Sequence, residues 1–101
     1  MQTMDNLKKL GKLDQASNDA WKNFQTFNQS VMAEGAISVK NKELIALGVA
    51  LTTQCSYCLE IHRDNAEKAG ASQQEIAETV MIAAALKAGS AVTHGTEILS
   101  D

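Results

Sequence analysis

From residue 17 onward, apolar side chains recur at three- and four-residue intervals, and nowhere do β-branched and polar residues alternate over a strand's length. The chain contains no proline and its few glycines fall between periodic segments, so the pattern predicts an all-α, single-domain helical bundle of about five to six helices. Leu7, Leu10 and Leu13, interrupted by Gly11, read as a frayed leader over residues 1–16 that docks through its leucines, ahead of a helical domain over 17–101. Ser17 is placed to cap a helix whose stripe of Trp21, Phe24, Phe27, Val31 and Met32 ends at Gly35. That stripe reads as core rather than as a lid or wall over a site.

Ser38 opens a second helix, apolar almost all round from Leu44 to Leu51, as expected of a central element. Thr52, Thr53 and Gln54 break that run, and Cys55 then opens a helix carrying Cys58, Leu59, His62, Ala66 and Ala69 until Gly70 stops it. The two helices are expected to form an antiparallel hairpin. A capping box at Ser72 to Glu75 starts the next helix, with Ile76, Val80, Ala83 and Ala84, which Gly89 is expected to end. A short helix interrupted near Gly95 would then anchor through Val92, Ile98 and Leu99.

Composition sharpens this picture. A chain of 101 residues buries roughly 65% of its unfolded surface in one core. With 45% hydrophobic but only 4% aromatic residues, that core is built from small and aliphatic side chains at close helix contacts. The Leu44–Leu51 run and the Ala83–Ala88 tract are too apolar for a monomer's surface, so a homo-oligomer is expected. A net charge of −3 without a Lys or Arg cluster argues against nucleic acid as a partner. The first fifteen residues lack a secretory signal, and no segment reads as the ~18–20 apolar residues of a membrane span, so a cytoplasmic location and no membrane partner are expected. In a reducing compartment the two cysteines point to redox or metal chemistry rather than a structural crosslink.

Those cysteines, Cys55 and Cys58, stand three residues apart, with His62 four residues after the second and Glu43 twelve before the first. On a helix advancing about 100° per residue, Cys55, Cys58 and His62 share one face. If the chain reverses near Gln54, Glu43 comes level with His62 within one or two turns. Glu43 lies on the face of Leu47 and Ala50, where an unpaired charge is costly and calls for a partner; the bland alternative is a solvated first-turn glutamate favoured by the helix dipole. A helix N-terminus and a nearby imidazole both push a thiol toward its nucleophilic thiolate. Cys58, one turn from His62, is therefore placed to attack a peroxide oxygen and become a sulfenic acid, with Cys55 positioned to displace it and form a disulfide. Glu43 would orient His62. His94 reads as a surface or interface residue and Tyr57 as packing at the mouth of the site.

The set Glu43, Cys55, Cys58 and His62, with KNKELIALGVAL before it and AGAS after it, resembles the alkylhydroperoxidase D-like branch of the carboxymuconolactone decarboxylase family. The resemblance covers roughly residues 17–99. It implies a proton relay through Glu43 and His62, a peroxidatic Cys58 and a resolving Cys55; no cofactor or metal is expected. It also implies assembly as a trimer or hexamer and reduction by a lipoyl-type dithiol. Many redox members carry a histidine between the cysteines where this chain has Tyr57. That departure keeps open a redox-sensing or structural oligomer that turns over no substrate. Zinc binding by Cys55, Cys58, His62 and His94 is disfavoured because three ligands from two turns of one helix make a strained tetrahedron. Members that decarboxylate lactones generally lack the cysteine pair.

Overall fold

A computed structural model describes residues 4–101 and is all-helical. A 3₁₀ turn at Met4–Lys9 leads into α1 (Leu10–Ala16), α2 (Asn18–Met32), α3 (Val39–Thr53), α4 (Ser56–Lys68) and α5 (Gln73–Gly95), and a second 3₁₀ turn covers Thr96–Ile98. The expected class and the antiparallel hairpin of α3 and α4 are both present, and α3 packs along α4 and α5. Leu47 and Ala50 of α3, Ala66 of α4 and Ala83 of α5 are its most deeply buried apolar residues among those described. Small side chains at three of these four positions let the helix axes approach closely.

Helix boundaries follow local chemistry. Ser38 caps α3 by accepting a hydrogen bond from the Asn41 N–H at 3.1 Å. Ser72 and Glu75 form the reciprocal capping box of α5, and Lys40 of α3 holds the same carboxylate at 2.8 Å, tying the starts of the two helices together. That lysine, and then the Ser72 N–H, hold the Glu75 carboxyl below its ordinary value. After α4, Gly70 takes φ +97°, and the Ala71 N–H reaches back to the Ala66 carbonyl at 2.9 Å, the six-to-one bond of a left-handed helix stop.

Several expectations fail for physical reasons. The aromatic stripe of α2 does not enter the core: no residue of that helix is buried, and Phe24 and Phe27 are 56% and 66% exposed. Amphipathic periodicity says that a face is to be covered, not what covers it. Of the leader's leucines, Leu7 is half-buried while Leu10 and Leu13 are exposed, Leu13 lying against Trp21 and Phe24 of α2 and not in the core. Ser17 occupies the cap position of α2 without a capping side-chain bond, and α2 stops at Met32, short of Gly35. Gly89 does not end α5, which runs on to Gly95; a glycine costs a helix interior only about 1 kcal/mol against alanine, and good helix formers surround it. The separate C-terminal helix is thereby absorbed into α5. Contrary to the sequence reading, Gln73–Ile98 is long and apolar enough by composition to cross a membrane, and only 6% of its apolar window is buried.

The chain measures 56 × 33 × 28 Å with a radius of gyration of 17.0 Å, against about 13 Å for a compact domain of this length. α1 and α2 pack chiefly on each other, and α2 also touches α3.

Gly70 meets nothing within 4 Å of a would-be Cβ, so an added methyl is penalised by backbone conformation alone. Gly70→Ala is expected to destabilise the fold by about 1–2 kcal/mol, read as a lower denaturation midpoint at unchanged helical content. An unchanged midpoint would show that the α4 stop does not rely on the left-handed conformation.

Candidate redox site

The site begins with a two-residue reversal. Gln54 sits in the left-handed region at φ 57°, which lets the Cys55 N–H bond the Ala50 carbonyl at 3.1 Å and close the end of α3. Cys55 is at the same time the N-cap of α4, its sulfur accepting from the Cys58 N–H at 3.3 Å. One residue thus finishes one helix and starts the next. Both sulfurs consequently lie at the positive end of α4, where the field favours negative charge on sulfur. Cys55 and Cys58 are joined as a disulfide with their Cα atoms 5.3 Å apart, inside the normal range for such a bridge.

Across the hairpin, Glu43 is buried beside Leu47 and Ala50, only 5% exposed. Its Oε2 lies 2.6 Å from Nδ1 of His62, a side chain itself largely covered. The separation is that of a charge-assisted hydrogen bond, which offsets the cost of burying a carboxylate. With Nδ1 committed to Glu43, the neutral imidazole keeps its proton on Nδ1 and leaves Nε2 as the basic nitrogen. Glu43 is therefore the buried, partnered carboxylate and not the solvated one.

Cys58 and His62 open into a common cavity of about 430 Å³. Its walls are apolar: Val31 and Met32 come from α2, Ile45 and Val49 from α3. Lys42 joins these walls, its Nζ donating to the Val31 and Ala33 carbonyls at 2.7 and 2.6 Å and so closing the C-terminus of α2. The arrangement can hold a thiolate beside a base of fixed orientation, and admits a ligand with an apolar body and a small polar head.

The structure thus brings all four sequence-designated residues to one hairpin, with Cys58 and His62 lining the cavity. Tyr57 does not line it; its hydroxyl instead accepts from Asn6 Nδ2 at 3.0 Å, joining the N-terminal turn to the helix that carries the cysteines. His94 is exposed and paired with Glu97 at 3.3 Å, apart from this set. Among the described residues, no three His, Cys, Asp or Glu side chains converge as metal ligands. Lys42 and the α2 wall escaped the sequence reading. A lysine in the first turn of a helix looks solvated, and residues read as core give no sign that they face a cavity.

Comparison with known proteins places the chain in a family. The model of the carboxymuconolactone decarboxylase family matches residues 19–101. A protein of Paracoccus denitrificans, named as uncharacterized protein 4 in the cox locus, is 35% identical over 91 residues, covering 90% of this chain and 82% of its own. An uncharacterized protein of Cupriavidus necator is 26% identical over 93 residues, covering 92% and 82%. The crystal structure of an apo carboxymuconolactone decarboxylase family protein from Legionella pneumophila superposes with a TM-score of 0.79 at 28% identity, over 94% of this chain and 85% of that one. The crystal structure of a protein from Methanobacterium thermoautotrophicum gives a TM-score of 0.80 at 28% identity, over 85% of this chain and 97% of that one. With the family model spanning α2 to the C-terminus and the fold matched over nearly the whole chain, the protein belongs to the carboxymuconolactone decarboxylase family.

Proposed function

We propose that this protein is a thiol-dependent peroxidase of the alkylhydroperoxidase D-like kind. The observation that carries the reading is the buried Glu43–His62 pair set beside the Cys55–Cys58 bridge at the head of α4. In the reduced protein, His62 Nε2 takes the Cys58 proton, with Glu43 stabilising the imidazolium. The Cys58 thiolate attacks the terminal oxygen of a hydroperoxide. A sulfur–oxygen bond forms, the oxygen–oxygen bond breaks, and the alkoxide leaves as an alcohol with the proton from His62. Cys55 sulfur then attacks Cys58 sulfur; the disulfide forms, the sulfur–oxygen bond breaks and water departs. A dithiol of lipoyl type returns the two electrons and two protons. The bridge closes within one turn of helix, so the cycle requires no unfolding.

A second reading, a redox sensor that oxidises once without turnover, is favoured by Tyr57, which stands between the cysteines and is engaged by Asn6. Cytoplasmic location and a homo-oligomeric state, as trimer or hexamer, remain part of the proposal. Mixing the protein with an organic hydroperoxide and excess reduced lipoamide separates the two readings. Steady consumption over many equivalents is expected; loss of a single equivalent would sink the peroxidase and leave the sensor.

The cysteines are expected to divide their roles. In Cys55→Ser, peroxide should leave a sulfenic acid that dimedone traps on Cys58, detected by peptide mass, whereas Cys58→Ser should be inert. Trapping on Cys55 in the Cys58→Ser variant would reverse the assignment.

His62→Gln should slow the first oxidation by on the order of 10²-fold near neutral pH, the scale of one positioned base. Glu43→Gln should act in the same direction but less. In both variants diamide should still form the bridge at the normal extent, because the Cα separation does not depend on the pair. Stopped-flow thiol loss measures this, and an unchanged rate in His62→Gln would remove the relay.

A further inference from the structure

α2 borders the redox cavity through Asn28, Val31 and Met32, which recur at helical spacing on one face. No residue of that helix is buried, so loss of apolar surface contributes only modestly to holding this wall against α3. Lys42 supplies a polar tie. Its Nζ donates to the Val31 carbonyl at 2.7 Å and to the Ala33 carbonyl at 2.6 Å. Carbonyls at a helix end have no intrahelical donor, and the negative pole of the helix dipole favours a cation there, so these are charge-assisted bonds. Among the described residues, no other hydrogen bond or ion pair joins α2 to α3. The connection between the two helices closes on itself instead, the Gly35 N–H donating to the Ile37 carbonyl and the Val39 N–H to Glu34 Oε1, each at 3.3 Å.

The residue after Lys42 is Glu43, which orients His62 on α4. Consecutive residues of α3 thus fix two sides of one site, Lys42 the apolar wall and Glu43 the base. The cavity runs along α3 from Lys42 to Thr53, about 16 Å at 1.5 Å per residue, with Val31 and Met32 of α2 as part of its cover. We propose that Lys42 sets the specificity of this site: by holding Val31 and Met32 over Cys58 and His62, it favours reagents with an apolar body over small polar ones. In the peroxidase reading, on which the choice of substrate rests, that means an organic hydroperoxide over hydrogen peroxide. Because its ammonium group is committed to carbonyls of its own chain, Lys42 acts through the wall and is a positioning residue.

The test compares Lys42→Met, which keeps an unbranched stem and loses both donors, with Lys42→Arg, which can still donate to both carbonyls. Circular dichroism checks that each variant keeps its helices. Reduced proteins are mixed in stopped flow with cumene hydroperoxide or hydrogen peroxide, and the rates of first thiol oxidation are compared. In Lys42→Met the cumene hydroperoxide rate is expected to fall further than the hydrogen peroxide rate. Their ratio should drop on the order of 10-fold, the scale on which an apolar pocket discriminates a methylene group. Lys42→Arg should recover most of that ratio. Met32→Ala should lower the ratio with the lysine in place, and adding Lys42→Met should lower it little further, since both act on one wall. Equal losses with the two peroxides would mean that the lysine charge acts on the thiolate and not through the wall, and would overturn the proposal. An unchanged ratio, no recovery in Lys42→Arg, or additive losses in the double variant would overturn it as well.

A second probe needs no peroxide. In a Cys55→Ser background, alkylation of Cys58 by N-phenylmaleimide and by iodoacetamide reads the same wall, and Lys42→Met should lower the ratio of the two rates several-fold. A fall in that ratio in a protein that ignores peroxide upholds the role of Lys42 and sinks only the peroxidase reading. Unchanged ratios in a protein that does consume peroxide overturn the role of Lys42 and leave the peroxidase standing.

Discussion

The reversal of the chain at Gln54 and Cys55 is the constraint on which the site depends. A left-handed residue closes α3, and the next residue caps α4, so no loop intervenes in which the register could drift. Two consequences follow from so tight a join. The sulfurs are held at the N-terminus of α4, where the aligned peptide dipoles favour a thiolate. The two helices also run back to back with a set stagger, which carries Glu43 to within 2.6 Å of a histidine nineteen residues away in sequence. A longer, looser loop would separate those effects.

The buried Glu43–His62 pair in turn shapes the core around it. An ionised carboxylate among Leu47 and Ala50 is tolerable only with a strong partner, and once that partner is His62 its ring is held in one orientation and one tautomer. The turn sets the stagger, and the pair fixes how His62 is presented beside the cavity that Cys58 lines. Small residues at Ala50, Ala66 and Ala83 permit the close helix approach that this requires. The result is a thin core around α3 that leaves the aromatic stripe of α2 and most of α5 exposed. Site precision and exposed apolar surface come from the same construction.

Much of this was legible in the sequence, and the reasons are local. Ser38, Ser72 with Glu75, and Gly70 act through bonds within a few residues, so the starts of α3 and α5 and the end of α4 could be read directly. The spacing of Glu43, Cys55, Cys58 and His62 needed only helix geometry and one reversal to bring the four residues to one hairpin. Where local chemistry was weak, the reading failed: Gly89 and Gly35 looked like stops, but a single glycine carries too small a penalty to end a helix flanked by good formers, and α2 ended before its glycine was reached.

What the sequence by itself determined is therefore the all-helical class, the hairpin and the identity of the chemical group set, because each is encoded within the reach of a helical turn or two. Tertiary structure alone decided which surface each apolar stripe faces. The periodicity of Trp21, Phe24 and Phe27 is the same whether the stripe is core, site wall or subunit contact, and only the placement of α2 beyond α3 shows that it stands outside the single-chain core. The same holds for Lys42, whose role exists only because α2 ends where its ammonium group can reach two carbonyls, and for Tyr57, whose partner lies fifty-one residues away. Contacts at that separation are set by how the helices pack, and no local pattern records them.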